Sequence, residues 1–170
     1  MQQKLIGAIL VFLACGGLGF RIAAFYRREE NTLGKLMRIL EYMECELQYH
    51  LTPLPNLCRQ AAMGAGGVLE RVFMDLSMEL ESQISPDAER CMNYVVDRTN
   101  KLTPQSRELL LILGKSLGKF DIEGQIKGLV AVKSDCQRRI DELRQNRDRR
   151  LRSYQTLGLC AGAALAILFL

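Results

Sequence analysis

The sequence predicts an all-α fold: a six-helix cytoplasmic bundle held between an N-terminal and a C-terminal transmembrane helix. Three patterns predict it. All 19 acidic residues fall between Glu29 and Asp148, so the first 28 and the last 22 residues carry no carboxylate side chain and are mostly apolar. Between the ends, apolar residues recur by threes and fours, the period of a helix face, and no stretch alternates as a hairpin strand does. Each of the four prolines falls in the first turn of a predicted helix. A mean hydropathy of zero averages over these unlike pieces. The division expected is a first span over residues 1–26, a helical domain over 27–153 and a second span over 154–170.

Leu5 to Tyr26 contains one charge, Arg21, and its 22 residues make a helix of about 33 Å, enough to cross a hydrocarbon core. Arg21 can snorkel to the nearer interface. Leu33, Leu36, Met37, Leu40, Met43, Leu47 and Leu51 then form an amphipathic stripe that continues directly from the span. Thr52-Pro53 opens a short helix carrying Leu54, Leu57, Cys58 and Ala61, which Gly64, Gly66 and Gly67 break. Leu69, Val72, Phe73, Leu76 and Leu80 mark the next helix. Ser85-Pro86 opens a fourth with Asp87 and Glu89 at its positive pole and Cys91, Met92, Val95 and Val96 inward. Thr103-Pro104 opens a fifth, with Leu109, Leu110, Ile112, Leu113 and Leu117, closing near Gly118. From Asp121 a long last helix carries the seam Ile122, Ile126, Leu129, Lys133, Cys136, Ile140 and Leu143. Arginines lead it into a final run, Tyr154 to Leu170, of about 26 Å as helix. Gly158, Ala161, Gly162 and Ala166 give that run the small residues that let helices approach within a bilayer; a buried core helix is the alternative for such a run.

Orientation follows from the flanks. Arg27 and Arg28 follow the first span, and Arg147, Arg149, Arg150 and Arg152 precede the second, against Lys4 outside. The positive-inside rule puts the middle domain in the cytoplasm. Phe12-Leu13-Ala14-Cys15 loosely resembles a lipoprotein box, which defines the alternative of a membrane-anchored adaptor with an extracytoplasmic helical domain.

Several function classes lose support. Between Arg27 and Ser153, 21 basic residues face 19 acidic ones, no footprint for nucleic acid. Aromatics are 6% with no Trp, which removes base-stacking platforms. No phosphate loop, nucleophile elbow or zincin motif is present, and the single histidine, His50, is explained by capping a last turn. Six cysteines, Cys15, Cys45, Cys58, Cys91, Cys136 and Cys160, show no chelating spacing and read as small hydrophobes. No enzyme activity, cofactor or metal is therefore expected. Glu41, Glu44 and Glu46 form an acidic cluster on the first amphipathic helix, either a solvated face or a surface for a basic partner. Gly114, Gly118, Gly124 and Gly128 are costly in helices and suggest close helix approach or a tight turn; Gly114 and Gly118 are read as packing positions where the fifth and sixth helices approach, with Asp121 capping the latter.

The string Leu113-Gly114 … Leu117-Gly118 … Asp121 … Gln125, read as LGxxLGxxDxxxQ, resembles the signature of the stage III sporulation protein AB family of endospore-forming Firmicutes. The Lys4-Leu5-Ile6-Gly7-Ala8 opening, the Thr52-Pro53-Leu54-Pro55 step and Leu157-Gly158-Leu159-Cys160-Ala161-Gly162 agree in order and distance; Gly124 and Gly128 stand outside the pattern. The resemblance implies a domain similar to the small six-helix cytoplasmic domains of the inner-membrane platform protein of type II secretion systems. It further implies a non-enzymatic subunit of the mother cell–forespore channel complex, in the mother-cell membrane around the forespore. The partners it implies are the membrane, a secretion-type ATPase of the sporulation operon and other channel-complex subunits, with homo-oligomerisation left open and no nucleic acid.

Overall fold

Six α-helices and no strand account for the regular structure among the described residues of the computed structural model: α1 (Gln2–Tyr49), α2 (Leu54–Met63), α3 (Val68–Ser82), α4 (Ala88–Arg98), α5 (Pro104–Ser116) and α6 (Ile122–Phe169). The backbone is described for residues 2–50, 52–82, 87–118 and 121–169, and side chains for 24–50, 52–82, 87–118 and 121–146. Among the described residues no helix is long and apolar enough to cross a membrane. The spans expected over 1–26 and 154–170 fall almost wholly on residues whose side chains lie outside the described set, as do Arg147, Arg149, Arg150 and Arg152.

The chain divides into two compact units, one of residues 1–28 with 141–170 and one of residues 29–140. The second unit contains the bundle core. Leu33, Leu36, Leu40 and Met43 of α1 are fully buried, together with Leu57 of α2, Leu69, Phe73 and Leu76 of α3, Met92 of α4 and Leu109, Leu110 and Leu113 of α5. Burying each such side chain contributes about 1.5–3 kcal/mol, and this apolar interior is what the threes-and-fours spacing encodes. Consecutive helices pack in pairs, α2 on α3, α3 on α4 and α4 on α5. Polar ties fix the remaining contacts: Lys133 Nζ of α6 donates to Glu44 Oε2 of α1 at 2.5 Å, and the Cys136 thiol lies 3.5 Å from the Leu33 carbonyl oxygen. Lys35 Nζ donates to the Gly66 carbonyl at 3.1 Å. That bond holds the α2–α3 turn, where Gly66 and Gly67 take φ of 62° and 79°.

The stripes match the core with local differences. Ile39 is buried beside the α1 stripe, Ile112 of α5 is 37% exposed, and Ile122, the first seam residue of α6, is 44% exposed while Val132 is buried. A strict seven-residue seam drifts about 20° per heptad around a straight helix. The buried line therefore runs Leu129, Val132, Cys136, Ile140 and Leu143, leaving Lys133 at its edge.

Helix starts also differ in detail. α2 begins at Leu54 with Pro53 at the cap position and no side-chain cap. Thr52 lies one residue before the cap, and its Oγ1 donates to Glu46 Oε2 at 2.9 Å. α4 begins at Ala88, where the Asp87 carboxylate accepts from the Glu89 amide at 3.0 Å; Ser85 and Pro86 lie outside the described residues. Thr103 does occupy the cap position of α5 before Pro104, yet its hydroxyl pairs with Ser106 Oγ at 2.7 Å rather than with an amide.

Candidate functional site

The motif residues end α5 and begin α6, with residues 119–120 between them outside the described set. Leu113 and Leu117 are fully buried and anchor the end of α5 in the core. Leu117 is the C-cap, its amide donating to the Leu113 carbonyl at 3.1 Å. Gly118 follows with φ of 77°, the left-handed conformation that stops a helix and that a side chain disfavours. Asp121 then starts α6: its Oδ1 accepts from the Gly124 amide at 2.9 Å, and its carbonyl accepts from the Gln125 amide at 3.0 Å. The spacing LGxxLGxxDxxxQ thus encodes a stop and a start.

Gly114 acts elsewhere than the spacing suggests. A Cβ on it would lie 2.6 Å from Met92 Cβ and 2.9 Å from Met92 Cγ, so it permits the close approach of α5 to α4, not to α6. Gly118 likewise faces α4 and α2, with Ala88 Cβ 3.4 Å and Leu54 Cδ2 3.8 Å from where its Cβ would stand. The close contact of α5 with α6 is at Gly128, whose Cβ would meet Ser116 Cβ at 2.6 Å. Four-residue glycine spacing is the same whichever neighbour it serves, so sequence alone could not assign the partner helix.

The acids of α1 separate in role. Glu41 is exposed, but Glu44 is half-buried in its ion pair with Lys133. Glu46 is also half-buried, accepting from Thr52 and lying 3.6 Å from His50 Nδ1. His50 itself closes α1, its amide donating to the Glu46 carbonyl at 2.9 Å. Of the flanking arginines, Arg27 and Arg28 are exposed.

Two polar features escaped the sequence reading. Glu29 is 3% exposed and accepts from the Gln105 amide, 3.3 Å away in the first turn of α5. A carboxylate there answers the unpaired amides and positive pole of that helix. Stepping the α1 stripe back four residues from Leu33 lands on Glu29, and that was the available signal. Arg139 of α6, 13% exposed, joins Glu108 of α5 at 2.7 Å to Asp135 at 3.0 Å. The hydrogen bond from Arg138, with Arg139 beside it, holds the Asp135 carboxyl below its usual range, and the Arg139 guanidinium does the same for Glu108. Burial pushes the Cys58 thiol up to about 12 and Cys136 to about 11, so both stay protonated and unreactive. Cys45 is exposed and Cys91 buried, and Cys15 and Cys160 lie outside the described residues. Among the described residues no group of three or more His, Cys, Asp and Glu side chains is arranged to hold a metal ion.

The family model described as stage III sporulation protein AB matches residues 4–170. The stage III sporulation protein AB of Bacillus subtilis (strain 168) is 26% identical over 170 residues, covering 98% of this chain and 99% of that protein. A solved structure of a stage III sporulation protein AB superposes with a TM-score of 0.61 at 22% identity, covering 71% of this chain and 97% of the other, and so supports the fold.

Proposed function

Since the chain belongs to the stage III sporulation protein AB family, we propose that it is a non-enzymatic membrane platform subunit of a type II secretion-like channel complex between mother cell and forespore. One observation carries the proposal most of the way. A single helix, α1, runs from the apolar N-terminal run into the first bundle stripe, and another, α6, runs from the bundle seam into the apolar C-terminal run. Arginines mark both transitions, Arg27 and Arg28 on one side and Arg147 to Arg152 on the other. Membrane anchoring at both ends with the bundle in the cytoplasm is the arrangement these flanks favour. A platform needs contact surfaces rather than a catalytic centre, and the structural investment in this chain is of that kind: the junction motif ends one helix and starts the next, and the half-buried ion pairs join helices.

A secretion-type ATPase of the same operon is the proposed cytoplasmic partner. Glu41 leads the surface offered to it, because Glu44 and Glu46 are shared with Lys133 and Thr52. Topology tests the proposal. Cys45, exposed on α1, should resist a membrane-impermeant maleimide in intact protoplasts and react after permeabilisation. A reporter fused after Leu170 should be active only outside the cytoplasm. Labelling of Cys45 in intact protoplasts would place the bundle outside and remove the platform role.

A further inference from the structure

The bundle carries a basic groove that neither the junction motif nor the membrane flanks explain. It has a volume of about 510 Å³ and lies between the start of α3 and the turn that follows α4, lined by Gly67, Arg71, Asp75, Arg98, Asn100 and Lys101 among others. Three cations and one acid face it.

These cations differ from the ion-paired arginines of the bundle. Arg59 pairs with Glu81, Arg107 with Asp97 and Arg139 with Glu108. Arg71 and Lys101 are exposed and make no ion pair among the described residues. Arg98 has no carboxylate partner among the described residues; it is held over the Tyr94 ring at 5.2 Å, with Nη1 donating to the Tyr94 hydroxyl at 2.5 Å. The Tyr94 contact fixes the guanidinium while leaving other N–H groups free to bind. A fourth cation lies at the rim: Lys35 Nζ is 3.6 Å from where a Cβ on Gly67 would stand. Gly67 keeps φ of 79°, and the first amides of the 15-residue α3 add their partial positive charge to the same side. Three cations against one carboxylate raise the potential of the site and draw in anions.

We infer that this groove docks an acidic segment of a partner protein, with carboxylates on Arg71, Arg98 and Lys101. Asp75 decides between ligand classes. A carboxylate inside the groove opposes a dense phosphate, whereas a peptide can set a basic or amide group against Asp75 and its acids against the cations. Asn100 on the lining supplies both an amide donor and a carbonyl acceptor for peptide backbone, and Thr99 Oγ1, which donates to the Val95 carbonyl at 2.8 Å, keeps acceptor capacity. The inference stands independently of the platform role.

The test uses the full chain in neutral detergent and a fluorescein-labelled peptide, Glu-Ser-Glu-Lys-Glu-Ser-Glu, followed by anisotropy at low salt. The double variant Arg71→Glu with Lys101→Glu should weaken binding about 10-fold or more. Lys115→Glu with Lys127→Glu makes the same change in net charge at two exposed positions off the groove and should stay within about 2-fold of the parent. Asp75→Asn should tighten a variant of the peptide in which Ser replaces Lys by about 3-fold, a gain that misfolding cannot produce. Arg71→Lys with Lys101→Arg should retain binding. Any of three results overturns the inference: no binding of the peptide by the parent chain, equal losses in both charge-reversal variants, or displacement of the peptide by inorganic phosphate at comparable concentration, which would make the groove a phosphate site.

Discussion

Replacing Gly114 by alanine sets two opposed effects against each other. Alanine in a helix interior is favoured over glycine by about 1 kcal/mol. The new Cβ, however, would lie 2.6 Å from Met92 Cβ, where carbon atoms at best distance stand about 3.5–4.0 Å apart. Met92 Cβ is fixed to the α4 backbone, so no rotamer change can move it, and α4 and α5 must part by about 1 Å. Overpacking of this kind costs about 1–3 kcal/mol, with the upper end expected where backbone rather than a flexible tip must give. Subtracting the propensity gain leaves a net loss of about 2 kcal/mol, or about 4–8 °C in Tm for a chain of this length. Gly34→Ala is the matched control. Gly34 lies within α1 with nothing within 4 Å of its Cβ position, so only the propensity term applies and a gain of about 1 kcal/mol is expected. Thermal unfolding of the full chain in detergent, followed by far-UV circular dichroism, reads both. Equal or higher stability of Gly114→Ala would refute the close approach of α4 and α5.

Three further predictions concern the same bundle. Gly118→Ala should cost about 1–2 kcal/mol through its positive φ and Gly118→Asn clearly less, since asparagine tolerates the left-handed region; equal losses in urea unfolding would assign the position to packing instead. The Asp135 carboxyl is held low in the folded chain, so the stability it contributes is present above its unfolded pKa of about 3.9 and is lost as pH falls through the folded value. Asp135→Asn should therefore lower the urea midpoint at neutral pH, with the gap to the parent closing at pH values below about 4. Lys133→Met should cost about 1 kcal/mol because it strands half-buried Glu44, whereas Lys133→Met with Glu44→Leu should recover most of the loss in a double-mutant cycle.

Much of the bundle was legible because its signals are local. Buried leucines at helical spacing, glycines breaking α2 and Asp121 starting α6 each act within a few residues, and all three appear in the fold as the spacing implies. Contacts between distant helices were not legible. Gly114 faces α4 because of how α5 is rotated against it, and no spacing within α5 records that rotation. The α1 acids looked alike in sequence, yet only the position of Lys133, 89 residues on, separates Glu44 from exposed Glu41. Thr52 falls one residue before the cap of α2, and Thr103 sits at the cap of α5 with its hydroxyl on Ser106 rather than on an amide, details that propensity alone does not weigh. The basic groove was hidden for the same reason, since Arg71 is brought to Arg98 and Lys101 only when α3 packs on α4.

Affinity isolation of the full chain from membranes of sporulating cells, followed by mass spectrometry of what comes with it, tests the platform assignment most directly. The account predicts that the chain is recovered from the membrane fraction together with a secretion-type ATPase and ring-forming membrane subunits, and that the ATPase is lost selectively on reversing the charge of Glu41. Recovery of the chain alone, or from the soluble fraction, would contradict it.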